Sequence, residues 1–190
     1  YNWIIFLMSI NLTKGQEANL TKASFALSVI RVGLGWEKTS SPMDLDVSVF
    51  GLKTANGTPK LVNEDYFVFF NHLKTTDGGI THSGDNRTGE GDGDDETIIV
   101  DTTKLNADVN EISFVACIYE AAQRAQTFGL LKDAYIRIYN HASGKVICEY
   151  DLDATFTNET ACQFGSLVKE NNEWTFKAVG AGYKLELSDF

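Results

Sequence analysis

Short runs of β-branched and aromatic residues recur along the whole chain, many of them alternating with polar positions. Phe25 to Val32, Leu45 to Phe50, Tyr66 to Phe70, Thr97 to Val100, Ile112 to Tyr119, Tyr135 to Tyr139, Val146 to Tyr150, Gln163 to Val168 and Trp174 to Val179 each read as a strand. Turn residues bound them, and period-2 alternation sets their apolar side chains on one face. Glu170-Asn171-Asn172-Glu173 joins the last two as a hairpin loop. Helical periodicity is weak and confined to Leu105 to Asn110 and Glu120 to Phe128. About nine short strands with one or two short helices predict an all-β fold, a β-sandwich. The chain has 190 residues and only two prolines, and no Pro/Gly/Ser-rich linker divides it, so one domain with a real core is expected.

Two departures from the apolar pattern carry the candidate chemistry. In the strand Leu45 to Phe50, alternation sends Leu45, Val47 and Val49 to one face and Asp44, Asp46 and Ser48 to the other, so two carboxylates project together from rigid backbone. Between Gly84 and Glu96, acidic residues alternate with glycines: Asp85, Asn86, Thr88, Gly89, Glu90, Gly91, Asp92, Gly93, Asp94, Asp95 and Glu96 surround the single cation Arg87. That loop carries about −5 and repels itself unless something positive holds it. Calcium suits it, because Ca²⁺ takes carboxylate, amide, hydroxyl and backbone oxygens, and glycine lets carbonyls turn inward. The scarcity of cysteine and histidine there argues against zinc or copper. A solvated acidic loop is the competing reading.

Three familiar motifs fail on this stretch. A twelve-residue EF-hand count from Asp85 reaches Glu96, but Arg87 and Gly89 stand where ligands belong and Glu90 where glycine belongs. A phosphate cradle on Gly89, Gly91 and Gly93 would set anionic phosphate among carboxylates. A calcium β-helix needs tandem repeats, and this motif occurs once.

The run Gly84-Asp85-Asn86-Arg87-Thr88-Gly89-Glu90-Gly91-Asp92-Gly93-Asp94-Asp95-Glu96 does resemble the signature of the TerD-like tellurium-resistance and stress proteins. Ile10 to Gly15, Gly33-Leu34-Gly35-Trp36, Asp44 to Ser48, Phe69-Phe70-Asn71 and Phe176 to Gly180 agree with that family in order. The resemblance covers about residues 8 to 190. It implies a TerD-like β-sandwich that binds calcium, two ions in the family pattern. The ligands would come from Asp44, Asp46, Asp85, Asn86, Thr88, Gly89, Gly91, Asp92, Gly93, Asp94, Asp95 and Glu96. It further implies a non-enzymatic, cytoplasmic protein of tellurite resistance or general stress response, with other tellurium-resistance proteins as candidate partners.

Charge narrows the other possibilities. A net charge of −10 argues against nucleic acid or an anionic membrane as direct partner. Tyr1 to Leu7 is apolar but too short to span a bilayer and lacks the basic flank of a secretory signal. It is expected to be an extension ahead of the domain, upstream of a natural start at Met8. Cys117, Cys148 and Cys162 are widely spaced among apolar neighbours and read as core thiols in a reduced compartment. His72, His82 and His141 form no metal or triad spacing, Trp36 and Trp174 read as core or turn anchors, and Asp151-Leu152-Asp153 reads as a strand exit. The alternative from a different class is a calcium-dependent carbohydrate-binding module. A metal-assisted phosphodiesterase is a third reading and would need a positioned base.

Overall fold

The computed structural model describes residues 10–11, 13–20, 28–37, 42–152 and 155–190. The expected extension at residues 1 to 7 and the start of the strand expected from Phe25 lie outside them, as does Asp153. Two sheets face each other, as the alternation predicted. The first runs β1 (Ile10–Asn11), β11 (Val146–Asp151), β10 (Tyr135–Asn140), β3 (Val29–Gly35), β8 (Glu96–Asp101) and β7 (Ile80–His82). The second runs β2 (Glu17–Asn19), β13 (Glu173–Tyr183), β12 (Ala161–Glu170), β9 (Glu111–Ile118), β4 (Leu45–Ala55) and β5 (Thr58–Leu61), with β6 (Phe67–Val68) also paired to β4. Neighbours are antiparallel except β1, which adds to β11 in parallel.

Alternation fills the space between the sheets. Ile30, Val32 and Leu34 of β3, Ile98 and Val100 of β8, Leu45, Val47 and Val49 of β4, and Ile112, Phe114, Ala116 and Ile118 of β9 are all buried in one cluster. Burial of each such Val, Leu, Ile or Phe side chain contributes roughly 1.5 to 3 kcal/mol. All three cysteines are buried and free. A smaller apolar cluster lies on the other face of the second sheet. There Val115, Cys117 and Ala161 are covered by Phe50, Tyr183, Leu185 and Leu187, so the C-terminal segment packs back over the sheet.

Several sequence expectations are corrected. Leu105 to Asn110 forms turns rather than helix, and the helix expected over Glu120 to Phe128 shrinks to the single turn α1 (Ala121–Arg124) followed by a 3₁₀ turn, Phe128–Leu130. Ala125, in the left-handed region at φ 51°, closes α1. The strand expected over Tyr66 to Phe70 is only Phe67–Val68, preceded by the 3₁₀ turn Glu64–Tyr66. The hairpin at Asn171-Asn172 is present, with φ values of 52° and 63° that suit a type I′ turn.

Candidate metal centre

The site forms where the two sheets meet at the start of β4. β9 pairs with one side of β4, whereas β6 reaches only Val49 and Phe50 on the other. Beyond β6 the backbone of Val47 is met by side chains crossing from the first sheet. Glu96 Oε2 accepts from Val47 N–H at 2.8 Å, and His82 Nε2 lies 3.1 Å from the Val47 carbonyl. His82 Nδ1 accepts from Gly84 N–H at 2.9 Å, so the ring proton sits on Nε2 and is donated to that carbonyl. Glu96 and His82 thus stand in for a missing strand. Both are buried polar residues, and hydrogen bonds offset the cost of that burial.

Above this plug, Asp44 projects from the residue just ahead of β4, Asp46 from β4 itself and Asp85 from the start of the glycine-rich loop. One carboxylate oxygen from each lies within 4.8 Å of the others, and among the described residues this is the one such group of three. Asp44 and Asp46 are buried, Asp85 is exposed, and buried Asp44 Oδ1 has no hydrogen-bond partner. Burial, followed by the Glu96, Asp44 and Asp85 carboxylates, pushes the Asp46 carboxyl up to about 8. Burial, followed by Asp85, pushes Asp44 up to about 6, against the opposing pull of Arg124. Arg87, otherwise solvent-exposed, supplies a counter-charge to Asp85 through Nε at 2.8 Å. A cavity of about 200 Å³ opens beside the three carboxylates, between Phe70, Tyr119, Arg87 and Arg124.

The rest of the loop is held apart from this group. Asn86 Oδ1 accepts from the backbone N–H groups of Thr88 and Gly89 at 3.2 and 3.1 Å, which closes an Asx turn. Thr88 Oγ1 accepts from Glu90 N–H at 3.3 Å. Gly89 sits at φ 65° against the Trp36 indole, where a Cβ would overlap the ring. Trp36 is a buried anchor whose Nε1–H donates to the Met43 carbonyl at 3.1 Å. Asp95 accepts from Trp36 N–H at 2.9 Å and from the Asn86 side-chain amide at 3.0 Å. Asp94 lies over the outer face of the first sheet, accepting from the hydroxyls of Tyr139 at 2.7 Å and Tyr135 at 3.3 Å, with Arg31 3.8 Å away. Gly33 makes room for it, since a Cβ there would overlap the Asp94 carboxylate. Gly91, Asp92 and Gly93 line a separate acidic recess with Asp133, Glu149 and Asp151. The other histidine with a resolved contact near acid, His72, faces Asp65 instead.

Of the twelve candidate ligands, the fold therefore brings Asp44, Asp46 and Asp85 together with Glu96 beneath them. Asp94 and Asp95 are engaged elsewhere. Sequence reasoning missed Arg31, Tyr135 and Tyr139 as the holders of Asp94. The period-2 series Arg31, Gly33, Gly35 on one face of β3 was the available signal, because two glycines beside an arginine leave room for a carboxylate.

The arrangement suits a hard cation. Oxygens bound at about 2.3 to 2.6 Å can be no more than roughly 5 Å apart across the ion, which the 4.8 Å limit satisfies. The buried, partnerless Asp44 oxygen lacks a positive or donor group that such an ion would supply. Among the described residues, no imidazole or thiol joins the three carboxylates, as zinc would favour.

Comparison with known proteins agrees with the fold and the signature. The TerD domain family matches residues 8–190. The tellurium resistance protein TerD of Serratia marcescens is 42% identical over 179 residues, 93% of this chain and 92% of that one. General stress protein 16U of Bacillus subtilis (strain 168) is 41% identical over 181 residues, with the same coverage. A solved homologue of telluride resistance protein (TerD) from Streptomyces coelicolor A3(2) superposes with a TM-score of 0.71 at 19% identity, over 86% of this chain and 95% of that one, and supports the fold alone. This chain belongs to the TerD domain family, whose named members here are tellurium-resistance and stress proteins. Among the described residues, no helix is long and apolar enough to cross a membrane.

Proposed function

We propose that this protein is a calcium-binding, non-enzymatic member of its family that acts in tellurite resistance or a general stress response in the cytoplasm. Asp44, Asp46 and Asp85 hold the ion, and the loop glycines 89, 91 and 93 let that segment adjust around it. The observation that carries the reading is the convergence of three carboxylates on one point, with a buried Asp44 oxygen left without a partner. The ion supplies positive charge that relieves the repulsion now met partly by protons and partly by Arg87. Glu96 and His82 position Asp46 by fixing the backbone of Val47 one residue away. Asp94 and Asp95, candidates for a second ion, already accept hydrogen bonds from Tyr139 and Trp36. The test is survival of a tellurite-sensitive bacterial host expressing the parent protein, Asp46→Asn or Asp85→Asn at matched levels. Protection by the parent that both variants lose supports the reading; equal protection by all three defeats it.

A further inference from the structure

Arg87 is paired with one of the three carboxylates that converge beside β4. Its Nε lies 2.8 Å from Asp85 Oδ2, and among the described residues no other cation is within ion-pair distance of the group. Arg124, which lines the same cavity, is engaged by Glu120 instead, at 2.9 Å. The backbone between Asp85 and Arg87 is pinned at Asn86. Asn86 N–H donates to Glu96 Oε1 at 3.2 Å, its side-chain amide donates to Asp95 at 3.0 Å, and its Oδ1 accepts from the N–H groups of Thr88 and Gly89 at 3.2 and 3.1 Å. The Arg87 side chain is 76% exposed, and among the described residues the hydrogen bond that holds it is the one to Asp85. The carboxylate therefore stays where the fold puts it, whereas the guanidinium can rotate into solvent without moving the backbone.

A divalent ion held by the three carboxylates would lie about 2.3 to 2.6 Å from an Asp85 oxygen. With Arg87 still on the same carboxylate, its Nε would be no more than roughly 8 Å from that ion, the two bonds and the width of one carboxylate together. Like charges at that separation repel, and at low salt little screens them. We propose, on the reading of this group as a calcium site, that Arg87 is a tethered competitor for the ion. It neutralises Asp85 in the ion-free protein, swings into solvent as calcium enters, and holds the affinity below what the three carboxylates alone would give. Because an exposed ion pair is weak, the guanidinium yields to a divalent ion rather than blocking it. Its neighbour in sequence, Asn86, keeps Asp85 in place throughout.

The test is a calorimetric titration of Ca²⁺ into the full chain as parent, Arg87→Gln, Arg87→Lys and Lys53→Ala, at about 0.01 M and about 0.5 M sodium chloride, between which the screening length falls from about 30 Å to about 4 Å. At low salt Arg87→Gln is expected to bind calcium at least about threefold more tightly than the parent, a conservative figure for one unit charge within roughly 8 Å of a divalent ion. Arg87→Lys keeps the charge and is expected to stay within about twofold of the parent. Lys53→Ala, on the β4–β5 hairpin, removes a positive charge away from the group and is expected to bind as the parent does. At high salt the advantage of Arg87→Gln should fall below about twofold, which a change in loop structure would not do. Equal or weaker calcium binding by Arg87→Gln at low salt, an equal gain in Arg87→Lys or Lys53→Ala, or a gain that persists at high salt would overturn the proposal. A parent that binds no calcium would sink the metal site and this inference together, whereas a parent that binds while Arg87→Gln binds no more tightly sinks this inference alone.

Discussion

Replacement of Asp46 by asparagine should stabilise the protein when no divalent cation is present. Folding carries this carboxyl from its ordinary value of 3.8 to about 8, with burial as the main cause and Glu96, Asp44 and Asp85 adding to it. Between those two values the folded chain holds a proton that the unfolded chain releases, so stability falls as pH rises through that window. At pH 7 the group is still largely protonated when folded, and the penalty is on the order of 4 kcal/mol, at about 1.4 kcal/mol per unit of displacement. Asp44, raised to about 6, adds a penalty of the same sign over a shorter window. Asparagine ionises in neither state and escapes the Asp46 penalty. Thermal unfolding in chelator should therefore show Asp46→Asn above the parent at pH 7 by at least about 1 kcal/mol, roughly 2 to 4 °C for a chain of this size. The gain should shrink toward zero as the pH falls below 3.8, where the parent carboxyl becomes protonated in both states, and should turn into a loss when calcium is saturating, because the parent alone then gains from the ion. A variant less stable than the parent in chelator at pH 7, or a gain that does not change with pH, would show that Asp46 carries no burial penalty.

Other consequences are measurable on the same material. Calcium must displace the Asp46 proton below pH 8, so its affinity should climb up to about tenfold per pH unit between pH 6 and 8, read by calorimetry in buffers of differing ionisation enthalpy. A flat profile would contradict the shared site. Glu96→Gln keeps a carbonyl acceptor for Val47 N–H but removes the largest neighbouring charge from Asp46, so carboxyl NMR should place the Asp46 titration below that of the parent. Glu96→Ala leaves Val47 N–H and Asn86 N–H without their acceptor and should cost about 1 to 3 kcal/mol for each buried group left unpaired, by chemical denaturation. Gly33→Val should displace Asp94 from the sheet face and raise amide exchange across residues 90 to 95, while leaving the hairpin of β12 and β13 protected.

Much of the scaffold was legible because half-buried strands announce themselves by alternation. Leu45, Val47 and Val49 against Asp44, Asp46 and Ser48 gave the two faces of β4 correctly, and with them two of the three converging carboxylates. β5 was missed although Asn56-Gly57, at φ 52° and 75°, is a strong hairpin signal that extends β4 through Ala55. The loop was read as one ligand set because chain proximity does not say which way neighbours face. Glu96 is in phase with Ile98 and Val100 and therefore points into the sandwich, which the alternation of β8 could have shown. Asp94 and Asp95, adjacent in sequence, bond to Tyr139 and Trp36, contacts between residues about 45 and 59 positions apart that no local pattern contains. The packing of Tyr183, Leu185 and Leu187 over the second sheet is again a tertiary event.

Whether Asp44, Asp46 and Asp85 form a calcium site is decided by calorimetric titration of Ca²⁺ and Mg²⁺ at about pH 7.5 into the parent, Asp46→Asn, Asp85→Asn and Lys53→Ala. Calcium should bind the parent and Lys53→Ala alike, magnesium should bind at least tenfold more weakly because an irregular carboxylate set fits its octahedral demand poorly, and each aspartate variant should lose at least tenfold in calcium affinity. Unchanged calcium binding in both aspartate variants, or magnesium binding as tight as calcium, would contradict a calcium site there.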